Sequence, residues 1–217
     1  CETATAINSH KILVGLFSLL MASVSIGVIS ANFFSFWVSL ELNIISFIGF
    51  IFFKESEGKM IIKYFMPQAF FSRVLFFSFL LSLLWAKSTP LSSILALGAL
   101  GGKLGLSPRH FWFVRILKDL CWERVFLVSR VQKILPALAL FHFFHFGLLL
   151  LMAVISLVTA AAGARLTFHP RSLVAYRVIY RRVWGVTATL NPFLLLLYFR
   201  VFIPSLYLLT RFILFSP

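Results

Sequence analysis

Residues 12–31, ILVGLFSLLMASVSIGVISA, run for 20 positions without a charge. A helix crossing the ~30 Å hydrocarbon core of a bilayer needs about 20 predominantly apolar residues, and this stretch supplies them. The same pattern recurs along the chain. Hydrophobic residues make up 61% of the 217 positions and charged residues only 12%, against about 45–50% and about 25% in a typical soluble domain. Too few polar side chains remain to cover a folded surface in water. A soluble enzyme and a disordered tail are both excluded. The fold class is all-α, a polytopic transmembrane helix bundle forming a single transmembrane domain over residues 1–217.

About eight spans are expected, at approximately 12–31, 33–53, 64–86, 91–108, 125–144, 147–164, 172–190 and 192–215. The stretch 125–164 is 40 residues long. As one helix it would extend about 60 Å, twice the hydrocarbon core, so a turn near His145 to Gly147 is expected to divide it. The charge distribution supports the count. Lys+Arg total 20 and Asp+Glu only 6, a net charge of +14. With eight spans, alternate connections (54–63, 109–124 and 165–171) hold Lys54, Lys59, Lys63, Arg109, Arg115, Lys118, Arg124, Arg165 and Arg171, and the opposite side holds essentially Lys87. That is the positive-inside pattern. It accounts for the basic balance without nucleic acid, since no basic domain stands outside the spans. Cys1 and Cys121 are too few for a disulfide framework or a zinc site. A start at Cys1 instead of Met suggests a processed or incomplete N-terminus.

Charges inside the spans point to function, because an ionised side chain at mid-membrane costs roughly 2.5–3.5 kcal/mol on insertion scales. Glu41 lies within the apolar run FWVSLELNIISF. Lys103 lies in LGALGGKLGLSPRHFW, where Gly101, Gly102, Gly105 and Pro108 argue against a continuous helix. Broken helices are tolerated in membranes only where protein or water satisfies the freed backbone groups, and such breaks recur at ion sites. A Glu–Lys pair of this kind can load and release a proton as the pairing changes. Lys133, three residues before Pro136, repeats the combination of apolar span, lysine and proline, so broken helices are expected near Lys103 and near Lys133. His142 and His145 titrate near neutral pH in principle, but two histidines alone make neither a metal nor a heme site. Arg171, Arg177, Arg181 and Arg182 suggest a membrane-boundary helix touching anionic lipid or an acidic neighbour.

Five islands in this order resemble the chain 2 family of antiporter-like membrane subunits of NADH:ubiquinone oxidoreductase, respiratory complex I. They are FWVSLELN (36–43), IKYFMPQA (62–69), KLGLSPRHFW (103–112), VQKILP (131–136) and RSLVAY (171–176). KLGLSPRHFW is the most specific, and the islands together cover roughly residues 12–190. The resemblance implies a Glu–Lys pair across neighbouring helices, matched by Glu41 and Lys103. It implies a further lysine leading to a central hydrophilic axis, matched by Lys133, and a histidine after the broken helix, matched by His110. It also implies a non-redox subunit of the proton-translocating reductase in the mitochondrial inner membrane. Such a subunit holds no cofactor of its own, neither flavin, iron–sulfur cluster nor nicotinamide. Its expected partners are the other membrane-arm subunits and a lipid such as cardiolipin.

Departures from the family pattern qualify this. Phe113, Val114 and Arg115 stand where the family usually continues Val-Pro-Glu, and Arg177, Val178 and Arg181 stand where it has small polar residues and a histidine. The family's later broken helix has no counterpart before Pro217. Either a second polypeptide is expected to supply the rest of the module, or the chain is a truncated structural subunit of the same complex without its own proton route. A related subunit of a cation antiporter or hydrogenase is the third alternative.

Overall fold

The structure, a computed structural model, describes residues 2–52, 58–84, 90–120, 122–140 and 146–188 together with Phe193 and Arg200. Among the described residues every regular element is an α-helix: α1 (Glu2–Ile29), α2 (Phe33–Phe52), α3 (Gly58–Leu84), α4 (Pro90–Leu104), α5 (Phe111–Asp119), α6 (Trp122–Ser129), α7 (Val131–Ala139), α8 (Phe146–Leu166) and α9 (Pro170–Ala188). Four of them contain stretches long and apolar enough to cross a membrane: Lys11–Ile29, Phe33–Ile51, Met60–Leu84 and Gly147–Leu166. Their outer faces present large apolar side chains, among them Phe17, Phe70, Phe77, Leu151 and Val158. In water such a surface would drive aggregation; facing lipid tails it costs nothing. The chain is thus an all-α, polytopic membrane bundle. The expected span 192–215 and the histidines His142 and His145 lie outside the described residues.

Two expected spans are discontinuous. The fourth ends as a helix at Leu104, and the chain then turns before α5 begins at Phe111. With 15 residues, α4 is about 22 Å long, short of the hydrocarbon core. The region 109–124, expected as a basic connection, contains helix α5. Its apolar residues Phe113, Val114, Ile116 and Leu117 fall on one face and are buried, against α9 and α3, while Arg115, Lys118 and Asp119 point outward. The amphipathic spacing makes it a helix despite its charge. The fifth expected span is divided into α6 and α7 at Arg130, which leaves helical geometry at φ −120°, ψ −72°. The break therefore precedes Lys133, and Pro136 lies within α7. Proline removes a bond to the carbonyl four residues back; the break lies six residues before Pro136.

The short helix α7 occupies the middle of the bundle, packed against α1, α2, α4 and α6. Elsewhere α1 pairs with α2, α3 with α4, and α8 with α9. Close approach of α3 and α4 depends on Gly102, where a Cβ would meet the Phe71 ring at 2.5 Å. Lys63 and Asp119 form an ion pair at 2.9 Å, and the Arg171 guanidinium donates to the Lys118 carbonyl at 3.0 Å. These contacts gather the start of α3, the end of α5 and the start of α9 at one end of the bundle.

Candidate functional site

The last turn of any helix leaves carbonyl groups without intrahelical partners, and in a membrane none of them has bulk water to turn to. At the end of α4 each partner is identifiable. Gly105 adopts φ +75°, the left-handed conformation that glycine reaches without steric penalty. Its N–H donates to the Gly102 carbonyl at 3.0 Å, and the N–H of Leu106 donates to the Gly101 carbonyl at 2.9 Å. These two bonds define a Schellman cap. The carbonyls of Lys103 and Leu104 are left over, and each receives a cation from another helix. The Lys133 ammonium on α7 donates to the Lys103 carbonyl. The Arg182 guanidinium on α9 donates to the Leu104 carbonyl. The negative end of the α4 dipole favours positive charge at this position.

The residues after the break fold back onto the same junction. Trp112 donates its indole N–H to the Gly102 carbonyl at 3.1 Å, and Arg109 reaches the Gly98 carbonyl at 2.9 Å. The Ser107 N–H is taken by the Ser156 hydroxyl on α8 at 2.9 Å. Lys133 stands 4.7 Å from the centre of the Trp112 ring. Arg182 stands 4.0 Å from that of Phe113, so both cations also face aromatic π-clouds. A crevice of about 160 Å³ lies beside the turn, lined by Gly98, Gly102, Ser107, Arg109 and Met152 among others.

Lys103 is 1% exposed and Lys133 5%. The Lys103 ammonium has no hydrogen-bond partner among the described residues. Glu41, half-buried on α2, is near enough for its charge to act on Lys103, but its carboxylate accepts a hydrogen bond from the Ser72 hydroxyl on α3. The structure therefore brings Lys103 and Lys133 together through a backbone carbonyl and leaves Glu41 and Lys103 unjoined. His110 is buried at the start of α5, with its ring against Phe111 at 4.3 Å and Tyr176 of α9 at 6.1 Å. Among the described residues no cluster of three or more His, Cys, Asp and Glu gathers to hold a metal.

Several residues of the site escape sequence reasoning. Arg182 reads as part of a boundary cluster, yet it falls on the buried stripe of α9 formed by Ala175, Val178, Ile179, Val183 and Val186. Its helical register, unlike that of Arg177, was the available signal. A second polar path joins the short helix α7 to three others. Tyr64 on α3 donates to Gln132 at 3.0 Å, Gln132 donates to the Asn43 carbonyl on α2 at 3.2 Å, and the Asn43 side chain donates to Ser23 on α1 at 3.0 Å. Gln132 adjoins Lys133 and Asn43 lies two residues after Glu41, so both were in view without any periodic feature to single them out.

No family model matches the chain. Among known proteins it is similar to several named NADH-ubiquinone oxidoreductase chain 2. That of Suricata suricatta is 31% identical over 217 residues, covering 92% of this chain and 62% of the relative. That of Ailuropoda melanoleuca is 30% identical over 205 residues, covering 88% and 59%. That of Anopheles gambiae is 27% identical over 193 residues, covering 83% and 56%. The chain thus spans about three-fifths of the length of the curated relatives it matches.

Proposed function

The chain is a relative of NADH-ubiquinone oxidoreductase chain 2 over most of its length, and from this premise we propose that it is a membrane-arm subunit of respiratory complex I. In this reading it carries part of a proton-translocating, antiporter-like module and no redox group. One observation supports the reading above the others: two buried lysines meet at the break of α4, with the Lys133 ammonium on the backbone carbonyl of Lys103. A buried lysine is expensive to keep charged in a membrane, and intramembrane ionisable residues are by default functional. Glu41, Lys103 and Lys133 are the proton-carrying groups of the proposal. His110 continues the route on the far side of the break. The partners are the other membrane-arm subunits, polypeptide supplying the rest of the module, and anionic lipid such as cardiolipin. The location is the mitochondrial inner membrane.

The chemistry asked of these residues is modest. Lys103 accepts a proton when Glu41 stabilises its ammonium and gives it up when that stabilisation is withdrawn. Lys133 holds the next position along the route. Lys103→Met in the assembled complex is expected to lower proton pumping coupled to NADH oxidation by at least tenfold while leaving assembly intact. Unchanged pumping with intact assembly overturns the proposal. A structural role without a proton route is favoured by the separation of Glu41 from Lys103. The same substitution distinguishes it, through lost assembly without a specific pumping defect.

A further inference from the structure

A serine inside a helix ordinarily turns its hydroxyl back onto the carbonyl one turn earlier. Ser39, Ser46, Ser78 and Ser82 all do so. Ser72 does not. Fully buried on α3, it donates across the helix interface to the Glu41 carboxylate on α2. Its backbone is held from the same side, because Trp37, one turn before Glu41 on α2, donates its indole N–H to the Ser72 carbonyl at 3.3 Å. Residue 72 is thus fixed to α2 through both side chain and main chain. Its chain neighbour Phe71 packs on Gly102, next to Lys103. Helix α3 contacts both α2, which carries the glutamate, and α4, which carries the lysine.

The consequence is a competition. A hydroxyl donating to a carboxylate makes a charge-assisted bond, about twice as strong as a neutral one. The Lys103 ammonium, buried and without a hydrogen-bond partner among the described residues, would gain from the same carboxylate. Two partners for one carboxylate, on two helices, define two discrete arrangements that a change elsewhere in a complex can bias.

We propose that Ser72 is a positioning residue that holds the Glu41 carboxylate on α3 and competes with Lys103 for it, so that the Glu41–Lys103 pair closes only on release from Ser72. The proposal deepens the proton-route reading and rests on it. Its test is the reactivity of Glu41 in the intact complex toward a hydrophobic carbodiimide, scored by peptide mass spectrometry. In Ser72→Ala the freed carboxylate goes to Lys103, and labelling of Glu41 falls at least threefold. Ser72→Thr keeps the hydroxyl and the original labelling. Ser72→Ala combined with Lys103→Met leaves Glu41 with neither partner, and labelling rises above that of the unsubstituted chain. Unchanged or increased labelling in Ser72→Ala, or a decrease that persists in the double variant, overturns the proposal. Should Ser72→Ala fail to assemble, Ser72→Cys, with a similar volume and a weak donor, is judged by the same outcomes. Proton pumping is measured separately. If Lys103→Met leaves pumping unchanged while the labelling follows the stated pattern, the competition stands and the proton-route reading falls.

Discussion

Lys133 and Arg182 each satisfy one carbonyl that the end of α4 would otherwise leave bare. Losing a donor to a buried acceptor costs about 1–3 kcal/mol, more where the donor is charged. In the complex of the proposed function, Lys133→Met is therefore expected to lower the dissociation temperature in detergent as well as any proton transfer. The thermal effect is read by native separation after stepwise heating. Arg182→Lys and Arg182→Met make a graded pair. Lysine keeps the charge but lacks the planar group that stacks on an aromatic ring, so it should retain part of the thermal stability that methionine loses. If all three variants dissociate at the temperature of the unsubstituted chain, the two cations are not holding the break.

At the scale of elements, the break depends on Gly105 and the packing beside it on Gly102. Ala at position 105 must adopt φ +75°, which costs an L-residue roughly 1–2 kcal/mol. The new Cβ would also stand 3.1 Å from the Arg182 guanidinium. Gly105→Ala should thus loosen the α4–α9 clasp and, on the proposed function, slow turnover without abolishing assembly, measured as NADH oxidation per assembled complex. Gly102→Val acts between helices, because its side chain must displace the Phe71 ring and push α3 from α4. It is expected to prevent assembly, with partial recovery when Phe71→Ala is added; absence of any recovery would place the defect elsewhere. The presence of a break near Lys103 was legible from the glycines and Pro108. The position of the second break was not, since the proline in the sequence is Pro136, inside α7, whereas the backbone departs from helix at Arg130.

Across the whole molecule, α7 is the short helix that packs against α1, α2, α4 and α6 together. It carries Lys133 toward α4 and Gln132 toward α2 and α3 from adjacent positions. Gln132→Leu removes the acceptor of the Tyr64 hydroxyl, at a cost of about 1–3 kcal/mol for that buried group, and takes a second donor from the Asn43 carbonyl, which keeps its bond within α2. The expected result is a complex that assembles at reduced yield and is cleaved faster by protease, compared at equal amounts of assembled chain. Leu151→Ala, on the outward face of α8, is the control. A face turned to lipid should tolerate it within about 0.5 kcal/mol.

The sequence by itself determined the solvent of this protein, its helical class and the places where charge enters the membrane. Each of these follows from local facts: the length of an apolar run, the sparsity of charge, a lysine among glycines. Glu41, Lys103 and Lys133 stand out in this way because a charge in an apolar run is conspicuous without knowledge of its neighbours. Only the tertiary structure decided which groups those charges meet. Glu41 turns to a serine 31 positions along the chain, Lys133 turns to a backbone carbonyl 30 positions back, and Arg182 faces inward while Arg177 faces outward. Ser72 and the α4 carbonyls carry no sequence signal at all. A serine in a membrane helix is ordinary, and every residue has a carbonyl. What makes them matter is that helix packing removes them from water and places a single charged partner within reach.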